Sequence, residues 1–353
     1  MKKIITDIVD FLNINSNTGN TLEALQWIKK KCNELDIEIF FEQNGNILAK
    51  KQNLAASGLV LSGHYDTVKG DIKVELTDDF IYGRGSSDMK SGVLSMLYAV
   101  SKATILSPVI ALTCDEETDS SGANLLKEMV KDYKYCIVCE PTSLKLCTAH
   151  RGRTVYKLVL KGERVHASVS PMNNVFYELS KVLSFLKTFP NKKNDFLGLE
   201  TITPVSVKSY PDIYNVTPDK LELFIDRRKT TSINNFEEDL EIIRNMFDKI
   251  NLKNYYIEID PNRKFNTLSY FCKDKNFINI AKKSMKNLKL DCNEYPFTAT
   301  CDGSFFGEKL PVLILGPGDL SEAHTKNEKV NIEQILKSVE LYLNINKGVF
   351  NGL

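Results

Sequence analysis

Along the first 150 residues, short apolar runs alternate with stretches whose apolar positions recur every three or four residues. That spacing predicts a helix around Thr21 to Leu35, a strand near Leu59 to Ser62, and a helix after Ser91. A strand at Val109 to Thr113, a helix at Ser121 to Lys131 and a strand at Tyr135 to Cys139 follow. Strands that are apolar at successive positions are buried on both faces, which predicts an α/β domain with helices on both faces of a mixed sheet. From Thr154 the pattern changes. It reads strand (Val155 to Leu160), helix (Val175 to Phe189), two strands (Ile202 to Lys208, Leu221 to Arg227), helix (Phe236 to Ile250) and strand (Tyr255 to Ile259). This β-α-β-β-α-β order predicts an inserted α+β domain over 153–264, splitting a discontinuous domain of 1–152 and 265–353. Beyond it the α/β pattern resumes with a helix near Asn276 to Leu288, a strand at Pro311 to Leu315 and a helix from Ile332.

Length agrees with two domains, since 353 residues exceed one ordinary core. Charge is nearly balanced, 46 Lys and Arg against 45 Asp and Glu, which leaves no electrostatic footprint for nucleic acid or an anionic membrane. A small molecule is the expected partner. The start of the chain lacks the apolar core of a signal peptide, and no run approaches the roughly 20 apolar residues of a membrane span. A cytoplasmic location is expected. The eight cysteines lack the paired spacing of a zinc ribbon and read as reduced, structural residues.

Chemistry enters with the histidines, of which there are only four. His64 and Asp66 close the first buried strand, Asp88 follows Gly83-Arg84-Gly85, Glu116 and Glu117 follow another strand, Glu140 precedes Pro141, and His324 follows Gly316-Pro317-Gly318. Imidazoles and carboxylates at strand ends are what a pair of hydrolytic metal ions requires: a bridging carboxylate, terminal ligands, and a free carboxylate that takes a proton from water. Adjacent residues at a strand end point in different directions, so Glu117 can bind metal while Glu116 serves as the base. Asp66 lies two residues from His64 on the same face of extended chain, where its carboxylate can accept the imidazole N–H. Gly83 and Gly85 lack the third glycine and the Lys-Ser/Thr ending of a nucleotide loop. Taken singly, His150 reads as a structural or rim residue, Asp115 as a strand-end hydrogen-bonding residue, and Glu163-Arg164 as a solvated turn.

Five motifs in order carry a resemblance: His64-x-Asp66-Thr67-Val68, Gly83-Arg84-Gly85-x-x-Asp88-Met89-Lys90, Asp115-Glu116-Glu117-Thr118, Glu140-Pro141-Thr142, and Gly316-Pro317-Gly318 followed by Ala323-His324. The chain resembles, over essentially its whole length, the dizinc amidohydrolase and peptidase family of acetylornithine deacetylase, succinyl-diaminopimelate desuccinylase, aminoacylase and carboxypeptidase G. The resemblance implies two zinc ions, with cobalt or manganese as substitutes. Asp88 bridges them, His64 and Glu140 complete one, Glu117 and His324 complete the other, and Glu116 is the general base. It also implies that the insertion is a dimerisation or lid domain of a homodimer. There His166, in Gly162-Glu163-Arg164-Val165-His166, reaches the partner's site and polarises the scissile carbonyl, and Asn215 and Arg228 bind substrate.

The motif details are most similar to acetylornithine and acetyl-lysine deacetylases. At Ser304 the desuccinylase carries an arginine, the natural partner of a succinyl carboxylate. Its absence favours a small neutral acyl group, although Arg84, Arg151 and Arg153 have no assigned role and could substitute. The expected activity is therefore hydrolysis of an N-acyl amino acid, of N-acetylornithine type, in arginine or lysine biosynthesis. The alternatives are the desuccinylase, a dipeptidase or general aminoacylase, and a non-hydrolytic relative used for binding or assembly. The last is disfavoured by an intact Glu116.

Overall fold

The computed structural model describes residues 2–169, 174–230, 236–261 and 266–351. The chain divides into two compact units, Met1–His150 with Tyr270–Leu353, and Arg151–Ser269. The expected junction at residues 264 and 265 lies outside the described residues.

The first unit opens with helices α1 (Lys2–Leu12) and α2 (Leu22–Glu34), then strands β1 (Ile37–Gln43), β2 (Asn46–Lys51) and β3 (Ala56–His64). Helix α3 (Lys90–Ser101), strand β4 (Ser107–Thr113), helix α4 (Ser121–Met129) and strands β5 (Tyr135–Val138) and β6 (Leu146–His150) follow. Four of these elements, α1, β1, β2 and β6, went unread in the sequence. Helix α1 buries Ile4, Ile8, Phe11 and Leu12, a helical spacing. The β1–β2 hairpin turns at Asn44-Gly45, both at positive φ, the Asn-Gly signal of a tight hairpin.

The inserted unit holds β7 (Gly152–Lys161), α5 (Val175–Lys187), β8 (Thr201–Tyr210), β9 (Lys220–Lys229), α6 (Phe236–Asp248) and β10 (Tyr255–Ile259). The chain then returns through β11 (Tyr270–Phe271), α7 (Lys275–Asn287), β12 (Glu294–Phe297), β13 (Val312–Ile314) and α8 (Ile332–Phe350).

In the first unit the sheet order is β1-β2-β4-β3-β5-β13-β6-β11, with β12 also paired to β6. Strands β4, β3, β5 and β13 run parallel at its centre, and antiparallel strands flank them. This is the mixed α/β fold that the pattern predicted. Leu59 and Leu61 of β3 join one core with residues of α1, α2, α3, α7 and α8. Open parallel sheets bind ligands beyond the carboxyl ends of their strands, where the loops diverge. His64 ends β3, Glu116 and Glu117 follow β4, and Glu140 follows β5, so strand polarity alone gathers these residues at one edge.

In the inserted unit the four strands are antiparallel in the order β8-β9-β7-β10. Leu221, Leu223 and Ile225 of β9 and Leu158 and Leu160 of β7 face a core with Leu179 and Val182 of α5 and Leu240 and Ile243 of α6. Behind that core a buried ion network joins Arg227 and Lys229 to Asp239, with Arg227 also on Glu200.

Candidate metal centre

Asp88 lies between two histidines. Its Oδ1 is 3.1 Å from His64 Nε2 and its Oδ2 is 3.3 Å from His324 Nε2. His324 Nε2 is also 3.0 Å from Glu117 Oε1, and His64 Nε2 is 4.0 Å from Glu140 Oε1. His64, Asp88 and Glu117 each offer a donor atom within 4.8 Å of the others. Two imidazoles reaching opposite oxygens of one carboxylate, each with a further carboxylate beside it, fit two cations sharing Asp88.

The electrostatics agree with that fit. Burial, and then the charge of neighbouring acids, pushes the Glu116 and Glu140 carboxyls well above the ordinary range, although His64 opposes the shift in both. Burial likewise raises Asp302, to about 7. Burial also raises Glu117, against the bond from His324. His324 is raised to about 10 by its bonds to Asp88 and then Glu117. Burial works against a charged His64, yet Asp66 and Asp88 hold its pKa well above normal. Buried acids packed this closely need positive charge among them, and protonated imidazoles alone provide too little.

Asp66 is fully buried and does more than was read from its spacing. His64 Nδ1 bonds its main-chain carbonyl at 2.9 Å, with the carboxylate at 3.4 Å. The carboxylate accepts the backbone N–H groups of Glu116 and Glu117, both at 3.3 Å, and the Thr18 hydroxyl at 2.6 Å. One residue thus orients the imidazole, chiefly through its carbonyl, and the acidic strand end, through its carboxylate. Among the described residues the Glu116 carboxylate has no hydrogen-bond partner.

Glu328 was missed in the sequence. It is fully buried, and its Oε1 accepts the backbone N–H groups of Ser87 and Asp88, each at 3.0 Å. Its Oε2 accepts Arg84 Nη1 at 2.7 Å, and Arg84 also donates to the carbonyls of Gly70 and Thr325. The pair ties the Asp88 segment to the segment carrying His324, and Arg84 is consumed in the tie. The available signal was an acid four residues after His324.

Other expected positions separate. His150 is fully buried in β6 beside the Tyr270 ring, and Asp115 accepts the Gly122 N–H at 2.9 Å at the start of α4. His166, Asn215 and Arg228 belong to the inserted unit. His166 is exposed, its Nδ1 accepts the Ser168 N–H at 3.2 Å, and Ala167 N donates to the Asn215 carbonyl at 2.9 Å, so His166 and Asn215 are neighbours. Arg228 donates through Nε to Asp226 at 2.7 Å.

The fold and these residues define a metal-dependent hydrolase, and residues 60–347 match peptidase family M20/M25/M40, to which the chain belongs. The chain is 29% identical to an uncharacterised metallohydrolase of Methanocaldococcus jannaschii, over 96% of this chain and 95% of that one. It is 28% identical to a LysW-lysine/LysW-ornithine hydrolase of Saccharolobus solfataricus, over 97% and 94%. A dinuclear metal-binding peptidase of Bacillus subtilis shares the fold with a TM-score of 0.73 at 14% identity, over 100% and 99% of the two chains. Among the described residues no helix is long and apolar enough to cross a membrane.

Proposed function

We propose that the protein hydrolyses the amide bond of an N-acylated lysine or ornithine, as a cytoplasmic step of lysine or arginine biosynthesis, with two zinc ions at its centre. The placement of Asp88 between His64 and His324 carries this reading, and the LysW-lysine and LysW-ornithine hydrolases among its relatives supply the amino acids. Asp88, His64 and Glu140 would hold one ion, and Asp88, Glu117 and His324 the other. Cobalt or manganese would suit the same donors. Bound there, the two ions supply Lewis acidity, making water more acidic and the scissile carbonyl more electrophilic.

The remaining work belongs to side chains. Glu116, whose carboxylate has no hydrogen-bond partner among the described residues, takes the proton of the attacking water and returns it to the departing amine. Asp66 holds both His64 and the backbone of Glu116, which keeps base and ligand in register. Glu328 fixes Asp88 through two amides. His166 donates toward the developing oxyanion, and Asn215 and Arg228 bind the substrate.

The inserted unit supports a homodimer. Among the described residues strand β8 is an edge strand, exposing Val205 and Val207 beside Leu183 of α5, and an apolar edge of that kind invites a second copy. Metal analysis of the purified protein, with turnover of N-acetyl and N-succinyl forms of ornithine and lysine and a set of dipeptides, tests the reading. Two ions per chain and cleavage of the acylated amino acids are expected. Cleavage of dipeptides alone, or a metal-free active protein, would overturn it.

A further inference from the structure

The first unit holds a cavity of about 390 Å3 that none of His64, Asp88, Glu116, Glu117, Glu140 and His324 lines. Small-molecule sites occupy roughly 300 to 1,000 Å3, so its size suits a small ligand. Three stretches of chain wall it: the end of α1 with the residues that follow, the segment after β3, and the segment that runs from Arg84 into α3 at Lys90. Leu12, Ile14, Ile72 and Val74 give the wall its apolar part. Leu12 and Val74 both pack against Gly83, each 3.3 Å from where a Cβ would stand, so the two form one continuous patch.

Two polar groups of the wall are incompletely used. Lys90 is buried, and its Nζ donates to the carbonyls of Phe11 at 3.2 Å and Ile14 at 2.7 Å. A lysine ammonium carries three N–H donors, so one is left. Both partners are neutral, and among the described residues no carboxylate lies within ion-pair distance of Lys90. Glu328, whose charge reaches it, is already bonded to Arg84 and to two backbone amides. Asp71 and Lys73, also in the wall, are exposed and opposite in sign, so they leave the local charge unchanged. Ser16 is the second group. Its carbonyl accepts the Thr67 N–H at 2.9 Å, which fixes the residue, yet its buried hydroxyl has no hydrogen-bond partner among the described residues. A buried donor beside a buried, uncompensated cation is costly until a ligand completes both.

We propose that this cavity binds a small aliphatic carboxylate, with Lys90 and Ser16 donating to its oxygens and Leu12, Ile14, Ile72 and Val74 covering its chain. A carboxylate brings the acceptors that both donors lack and the negative charge that Lys90 lacks, and such charge-assisted bonds are the strong ones. A neutral amide or alcohol would satisfy the bonds and leave the charge. The apolar patch requires a hydrocarbon chain on the ligand, which an inorganic anion does not have. Binding here is independent of the reaction proposed for the metal centre.

Calorimetric titration of the full-length, metal-loaded protein with 4-methylpentanoate tests the site. A Kd of about 1 mM or tighter is expected. The matching amide, 4-methylpentanamide, keeps the shape without the charge and should bind about tenfold more weakly or worse. Ser16→Ala removes a hydroxyl that has no partner in the protein, so the thermal midpoint should hold while affinity for the acid falls by about tenfold. Ile72→Trp fills the cavity and should abolish binding, with circular dichroism to confirm the fold; if that variant misfolds, Ser16→Ala decides. A carboxylate can also reach the metal centre, where neither substitution acts. Unchanged affinity in a folded variant would therefore overturn the cavity site. No binding to the unaltered protein, or equal binding of acid and amide, would overturn it as well.

Discussion

Glu328 holds Asp88 by its backbone: one carboxylate oxygen, 3.0 Å from the Asp88 nitrogen and 3.0 Å from that of Ser87, fixes the segment that carries the proposed bridging carboxylate. The other oxygen is fixed by Arg84. In Glu328→Gln the carboxamide can still accept the two amides, but its NH2 group then faces the Arg84 N–H. Metal affinity should fall by about 10 to 100-fold with the fold retained, as for other outer partners of metal ligands. Chelator competition on the folded variant measures this, and unchanged affinity would remove Glu328 from the metal's support.

Glu116→Gln should keep both ions, because the residue is not a ligand, and lose activity by about 100 to 10,000-fold for want of a proton acceptor. Metal content and kcat measured on the same preparation decide it. Loss of metal together with activity would contradict the role.

Asp88→Ala should deplete both ions, whereas His64→Ala should mainly weaken one, since the two histidines address different oxygens of Asp88. Elemental analysis after dialysis distinguishes the two patterns, and an Asp88→Ala protein with two tightly held ions would reject the bridge.

If each site borrows His166 from its neighbour, mixing inactive Glu116→Gln chains with inactive His166→Ala chains should restore activity. About half of the randomly exchanged dimers are mixed and each has one complete site, so recovery approaches roughly a quarter of the unaltered rate. Failure to recover, once subunit exchange is demonstrated, would place His166 in its own chain's site or outside catalysis.

Asp239 is fully buried between Arg227 and Lys229. Asp239→Ala leaves two buried cations with too little opposing charge, which costs about 3 to 5 kcal/mol. Urea unfolding followed by circular dichroism should show an earlier transition, and an unshifted curve would mean that water reaches the network.

By itself the sequence determined most of the elements and the donor types of the candidate site. Apolar runs without alternation could only be strands covered on both sides, and His64, Glu117 and Glu140 close or follow three of them, so the polarity of a parallel sheet was enough to bring them to one edge. The β-α-β-β-α-β order was likewise visible as a change in period, because helix and strand spacings are local properties. Partnerships were decided by the tertiary structure alone. Arg84 and Glu328 are 244 residues apart, and Arg153 and Asp226 are 73 apart. Nothing in either segment's pattern says which arginine is spent holding a loop and which meets an acid on a neighbouring strand. That choice depends on strand order and register, which place Arg228 opposite Arg153 and put Asp226 between them. A one-residue shift would turn these side chains to the helix-covered face, among Leu223 and Ile225, where guanidiniums without buried acids would be costly.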